Sequence, residues 1–252
     1  MHLLRHPLLA PAIAVLAALA SIALGILAAP ADVVAWTAEE GFIERSTVML
    51  YFFAGLAVAG DREQLRPPVW IAVVALLTAA AARELDWHKA FTGGSILKLS
   101  YYFGAAPLRH KLVALAVLAC VGLAAAYLAR RFARAVWRGL RAHDAVAFTA
   151  VTVFACLVIS KITDRSLTVL AQDWHVSISA QARALQLAIE ELMELELPAL
   201  VLLGLVQLRL LREQAEALSP AGTANRRTPP PPAAIAPPAP AAHREPAGPS
   251  RG

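Results

Sequence analysis

Cysteine is nearly absent from this chain. Cys120 and Cys156 are the two in 252 residues, and both fall inside long apolar runs. They give no basis for a disulfide framework and predict buried, unreactive thiols. Charge is sparse as well. Asp, Glu, Lys and Arg make up 16% of the residues, and the net charge is a modest +5. Much of that excess comes from one Arg-rich segment and the C-terminal tail, so nucleic-acid binding is not implied. The chain has no nucleotide-binding glycine loop, no Gly-x-Ser-x-Gly, no phosphatase signature and no Cys-x-x-Cys. Strict alternation of apolar and polar residues is missing too, which excludes a membrane β-barrel.

Continuous apolar sequence takes the place of these features. Hydrophobic residues reach 58% and mean hydropathy is +0.58, against roughly 45–50% apolar usage in soluble domains. Six runs stand out: Leu8–Ala29, Phe42–Gly60, Val69–Ala82, Leu112–Leu128, Ala145–Ile162 and about Leu187–Leu208. A hydrocarbon core of ~30 Å needs about 20 such residues per helix, and backbone amides in lipid must be bonded internally. The expected fold is therefore all-α, a six-helix polytopic membrane bundle over residues 1–212. The third and sixth runs reach full length only if charged residues enter the membrane. The first run is about twice the length of a signal-peptide core of ~7–15 residues, so it is read as an uncleaved span.

Orientation follows from Lys and Arg in short connections. Arg130, Arg131, Arg134, Arg138 and Arg141 lie between the fourth and fifth runs. That segment is expected to be a cytoplasmic loop, with both termini on the same side. Trp36, Trp87, Trp174, Tyr101 and Tyr102 then fall at the outer interface, and Trp70 and Trp137 at the inner one. The long Arg83–Lys111 connection predicts a short interfacial helix that starts near Ser95. Residues 213–252 form a second region. Ten of the 17 prolines lie beyond Ser219, and a Pro/Ala-rich cytoplasmic tail of this kind is expected to be disordered.

The outer face collects acids. In this topology 12 of the 18 acidic residues lie there beside nine bases, and four segments supply the candidate site. Glu40 and Glu44 open the second span on one face with Thr47 and Tyr51. They also suit a helix N-terminus. Arg83, Glu84, Asp86 and His88 end the third span. If that helix continues, Glu84 and His88 stand at i,i+4, a spacing that holds a hydrogen-bonded pair or one metal ion. They are weak metal candidates, and no cofactor is identified. Lys161 and Asp164 end the fifth span on the face of Arg165 and Thr168. Lys161 there either snorkels or pairs with an acid. The sixth span begins Glu190-Glu191-Leu192-Met193-Glu194-Leu195-Glu196-Leu197-Pro198. Span length pushes Glu194 below the interface, where insertion of an acid costs up to ~2.5–3.5 kcal/mol. Glu190, Glu191 and Glu194 share a 100° arc, and Glu196 points elsewhere. Pro198 leaves the Glu194 carbonyl without its helical donor.

The run Arg83-Glu84-x-Asp86-x-His88-Lys89, with Ser160-Lys161-x-x-Asp164-Arg165 and the later Glu pair, resembles small uncharacterised proteobacterial inner-membrane proteins over residues 30–210. The resemblance implies a bacterial inner membrane and no particular activity. Three readings stay open. One is a structural or partner-binding membrane subunit, which the sequence favours slightly. The second is cation, proton or polar-substrate binding or transport. The third is a membrane-embedded metal-assisted hydrolase. The partners expected are the lipid bilayer and a membrane protein.

Overall fold

A computed structural model describes residues 2–37, 41–94, 96–97 and 99–218, without the side chains of His88, Phe91 and Leu218. Glu40, Ser95 and the proline-rich segment beyond Ser219 lie outside the described residues. Among those described, the chain is all-helical with no strand. After a 3-10 turn the helices are α1 (Leu9–Leu27), α2 (Pro30–Trp36), α3 (Phe42–Gly60), α4 (Pro67–Glu84), α5 (Trp87–Thr92), α6 (Leu99–Phe103), α7 (Leu108–Arg141), α8 (Ala145–Gln172) and α9 (Ala180–Leu218). Five of them, α1, α3, α4, α7 and α8, are long and apolar enough to cross a membrane. The chain is a multi-pass membrane protein.

Local chemistry sets the boundaries. Pro30 and Pro67 occupy the first turns of α2 and α4, where the missing amide costs nothing and φ is already helical. Asp144 caps α8, its carboxylate accepting from the Ala147 amide at 3.0 Å. His143, at φ 56°, makes the sharp corner between α7 and α8. Gly139 lets that corner close, because a Cβ there would sit 2.7 Å from the Ala147 Cβ. Inside the spans, Thr47 and Thr152 return their hydroxyls to the carbonyls of Ile43 and Phe148. Both threonines are buried, and these bonds satisfy their hydroxyls inside the bundle.

Two sequence expectations need correction. The Arg130–Arg141 segment is not a loop. It is the last third of α7, a 34-residue helix. Ala, Leu and Arg are strong helix formers, and nothing in that segment breaks the helix before Arg141. The interfacial helix expected to start near Ser95 is instead α6, which begins at Leu99, and a second short helix, α5, precedes it. They are separated by Gly93 at φ 69°, a left-handed conformation that glycine adopts freely.

The most acidic helix is also the central one. Ala184, Ala188, Met193, Glu194, Glu196, Leu197, Leu200, Gln207 and Leu210 of α9 are all buried. By contrast α7 buries only Ala114 and turns Leu112, Leu115 and Leu123 outward, as a lipid-facing helix should. Met193, Leu197 and Leu200 share one core with Tyr51, Ala54 and Val58 of α3, Leu77 of α4 and Cys156 of α8. Cys156 is buried as expected, whereas Cys120 is exposed on α7. Helix α9 follows α1 along its length. At one end Gln181 donates to the Gly25 carbonyl, and Gly25 is required there because a Cβ would stand 2.7 Å from the Leu185 Cα. At the other end Arg5 donates to the Leu210 carbonyl at 3.3 Å. Arg209 pairs with Asp61 at 2.7 Å on that same end. Between these ends, Thr149 donates to Gln207 Oε1 at 2.6 Å in a buried interhelical bond. Such bonds contribute about 0.6–2 kcal/mol in membranes.

Candidate functional site

At the Gln181 end of the bundle, four long helices leave a polar cavity of about 560 Å³ between them. Glu44 enters it from the first turn of α3, Arg83 and Glu84 from the last turn of α4, and Asp86 from the break that follows. Asp164, Arg165 and Thr168 come from α8, and Arg183, Leu187, Glu190, Glu191 and Glu194 from α9. Thr37, Lys89 and Leu97 complete the wall. Along α9 the lining runs from Arg183 to Glu194, which is about 16 Å of helix at 1.5 Å per residue. The cavity therefore penetrates well into the bundle rather than lying across its surface.

Glu194 is at the bottom, 3% exposed. One of its oxygens, Oε1, accepts three bonds. Arg83 Nη2 donates at 3.0 Å, Lys161 Nζ at 2.5 Å and Ser160 Oγ at 3.2 Å. Arg83 Nη1 also pairs with Glu84 Oε1 at 3.0 Å. Helices α4, α8 and α9 are thus tied through one carboxylate oxygen. An acid at this depth is tolerable because two cations and a hydroxyl replace its lost hydration. Lys161 does pair with an acid rather than simply snorkelling.

Gln186 fixes the next turn up. Its side-chain amide donates to the carbonyls of Thr163 and Asp164 at 3.0 and 2.9 Å and accepts from Arg183 at 3.2 Å. This holds Asp164 and Glu190 against the same void. Lys89 pairs with Asp86 at the rim. Asp164, Glu190 and Glu191 make no ion pair among the described residues. Seven carboxylates line the cavity against four bases, Arg83, Lys89, Arg165 and Arg183.

Of the residues singled out in the sequence, Glu44, Arg83, Glu84, Asp86, Asp164, Glu190, Glu191 and Glu194 line this one cavity. Lys161 joins it from beneath through Glu194. Glu40 and the side chain of His88 lie outside the described residues. The i,i+4 relation of Glu84 and His88 does not form, because α4 ends at Glu84 and Asp86 turns the chain at φ 49° before α5 begins. No group of three or more His, Cys, Asp or Glu able to hold a metal ion occurs among the described residues. Sequence reasoning missed Gln186 and Arg183. A single Gln in an apolar helix start carries no signal of its own. The arc shared by Glu190, Glu191 and Glu194 was the usable clue, and Leu187 and Arg183 extend it one and two turns toward the N-terminus.

Glu196 faces another direction. It is 6% exposed, and both its carboxylate oxygens are buried without a hydrogen-bond partner among the described residues.

No known family model matches this chain, and neither does any curated protein or solved structure.

Proposed function

We propose that this chain is a six-span integral membrane protein that binds a small cationic solute in the α3–α4–α8–α9 cavity. What carries the reading is the set Asp164, Glu190 and Glu191, three carboxylates without an ion-pair partner among the described residues that face an open polar void of about 560 Å³. A network serving only to hold helices together would pair its charges and close. Here the pairs lie at the floor, around Glu194, and the excess acid lies above them. A ligand with two or more ammonium groups fits that distribution, since each brings the charge that a desolvated carboxylate needs. Whether bound solute is then moved across the membrane is a second step that the binding reading does not require.

The same geometry supports α9 as the sixth span. From the Gln181–Gly25 contact to the Arg209–Asp61 contact is about 42 Å of helix, more than a ~30 Å hydrocarbon core. The five arginines at the end of α7 lie on the side away from the cavity. By the positive-inside rule that side is cytoplasmic, with both termini, and the cavity opens outward. The resemblance of the Arg83–Lys89 and Ser160–Arg165 runs favours a bacterial inner membrane as its location. A structural role in a larger assembly remains as a second reading, favoured by the way Glu194 ties three helices. It calls for a membrane partner protein.

A thermal-shift series on the full chain in detergent micelles tests the proposal. Magnesium, calcium, putrescine and spermidine are the probes. Polyamines should raise the melting temperature of the wild type, and Glu190→Gln with Glu191→Gln should abolish the rise. No stabilisation by any cation would leave the structural reading in its place.

A further inference from the structure

Glu196 and the groove around it lie outside the cavity described above. The side chain leaves α9 on the side facing α1 and α3, where Ala17, Met49, Leu50, Phe53, Leu192 and Leu195 enclose a groove of about 610 Å³. These neighbours are apolar. Ser46, the other polar residue lining it, gives its hydroxyl to the Phe42 carbonyl at 2.7 Å. Met49 and Phe53 are 58% and 52% exposed on the outer surface of a membrane span, so the groove opens sideways to lipid. Glu196 lies 15 residues from Gln181 and 13 from Arg209, each about 20 Å along the helix. It is therefore close to the middle of the bundle.

A carboxylate at that depth with neither oxygen bonded is a heavy burden for a fold to carry. Glu194, two residues away, shows how this chain settles the same problem when it needs an acid only for packing: three donors converge on one oxygen. Around Glu196 the described residues supply none, and the groove that its side chain lines opens to lipid. An apolar channel ending on one acid matches a molecule with an apolar tail and one protonated amine.

We propose that the α1–α3–α9 groove binds an amphiphilic monoamine that enters from the bilayer, its ammonium pairing with Glu196 and its chain lying along Met49, Phe53 and Leu195. The tail is buried as in the surrounding lipid, so the ion pair supplies the selectivity. An alcohol or a fatty acid of equal length lacks the charge that Glu196 accepts.

Dodecylamine, dodecanol and dodecanoic acid are the probes, each added to the full chain in micelles well below its own micellar concentration. Dodecylamine should raise the melting temperature by several degrees, and the other two should not. Glu196→Gln should lose that rise while Glu213→Gln, on the exposed end of α9, keeps it. Spermidine stabilisation, which belongs to the other cavity, should survive in Glu196→Gln, so the two sites can fail separately. If Glu196→Gln does not fold, native mass spectrometry of the wild type takes its place: one dodecylamine retained per chain, and no dodecanol. Equal stabilisation by alcohol and amine would overturn the proposal. So would dodecylamine binding that persists in Glu196→Gln, or a transmembrane polypeptide found occupying the groove in the native complex.

Discussion

Arg83 and Glu194 meet at 3.0 Å although 111 residues of chain separate them. Lys161 reaches the same oxygen, Glu194 Oε1, at 2.5 Å. Two cations on one carboxylate oxygen make the floor of the cavity redundant. Each can partly stand in for the other.

That redundancy predicts a non-additive pair. Arg83→Gln or Lys161→Met alone should lower stability by roughly 1 kcal/mol, because each side chain is over a third exposed and the remaining cation still serves Glu194. The double variant strands a 3%-exposed anion and should exceed the sum of the singles by about 0.5–3 kcal/mol. Thermal or denaturant unfolding in micelles reads the coupling directly. Strict additivity would mean that the two cations do not share the load.

Gly25 should be intolerant. A Cβ at that position would stand 2.7 Å from the Leu185 Cα and Cδ1, so α1 and α9 cannot keep their approach. Gly25→Ala is expected to cost about 1–3 kcal/mol. Gly55→Ala, with nothing within 4 Å of the new methyl, should leave the melting temperature unchanged or raise it slightly by helix propensity. Comparable losses at both sites would contradict the packing of α1 on α9.

Much of this arrangement was legible in the sequence, and particular residues show where legibility ended. The Phe42–Gly60 run matches α3 residue for residue, since Gly41 and Asp61 flank a segment whose few polar residues all lie in its first two turns. Glu190, Glu191 and Glu194, which share one helical arc, line the cavity, and Glu196, off that arc, lines another groove. Helix ends were underestimated wherever an apolar run passes into a charged but helix-forming one. Thus α7 continues through its arginines to Arg141, and α8 runs on from Ile162 to Gln172. What no local pattern reveals is which helix is central. The apolar fraction ranks α9 below the other long helices, yet α9 is the most enclosed because its neighbours supply the hydrogen-bond partners its polar side chains need. Gln207 finds Thr149, Gln186 finds the end of α8, and Glu194 finds Arg83 and Lys161. Those pairings belong to tertiary structure.

Topology is open to accessibility labelling. In a cysteine-free background, Arg134→Cys and Glu216→Cys should both resist an impermeant thiol reagent applied from outside. Glu190→Cys should react. Labelling of position 216 together with 190 would mean that α9 does not cross, and labelling of position 134 would invert the orientation.

Truncation after Leu218 should leave the protein inserted and as thermally stable as the full chain. The unit that holds the long helices' core ends at Leu211, and proline-rich sequence of this kind is expected to offer too little apolar surface to pack. A marked fall in folded yield would assign the tail a place in the bundle.

The central claim is that the excess carboxylates of the α3–α4–α8–α9 cavity bind a cation-bearing solute. Calorimetric titration of the full chain with spermidine measures this most directly. One saturable site is expected, weakened at least tenfold by Glu190→Gln with Glu191→Gln and unaffected by Glu196→Gln. Heat that is the same in wild type and the Glu190/Glu191 variant, or no saturable heat at all, would contradict it.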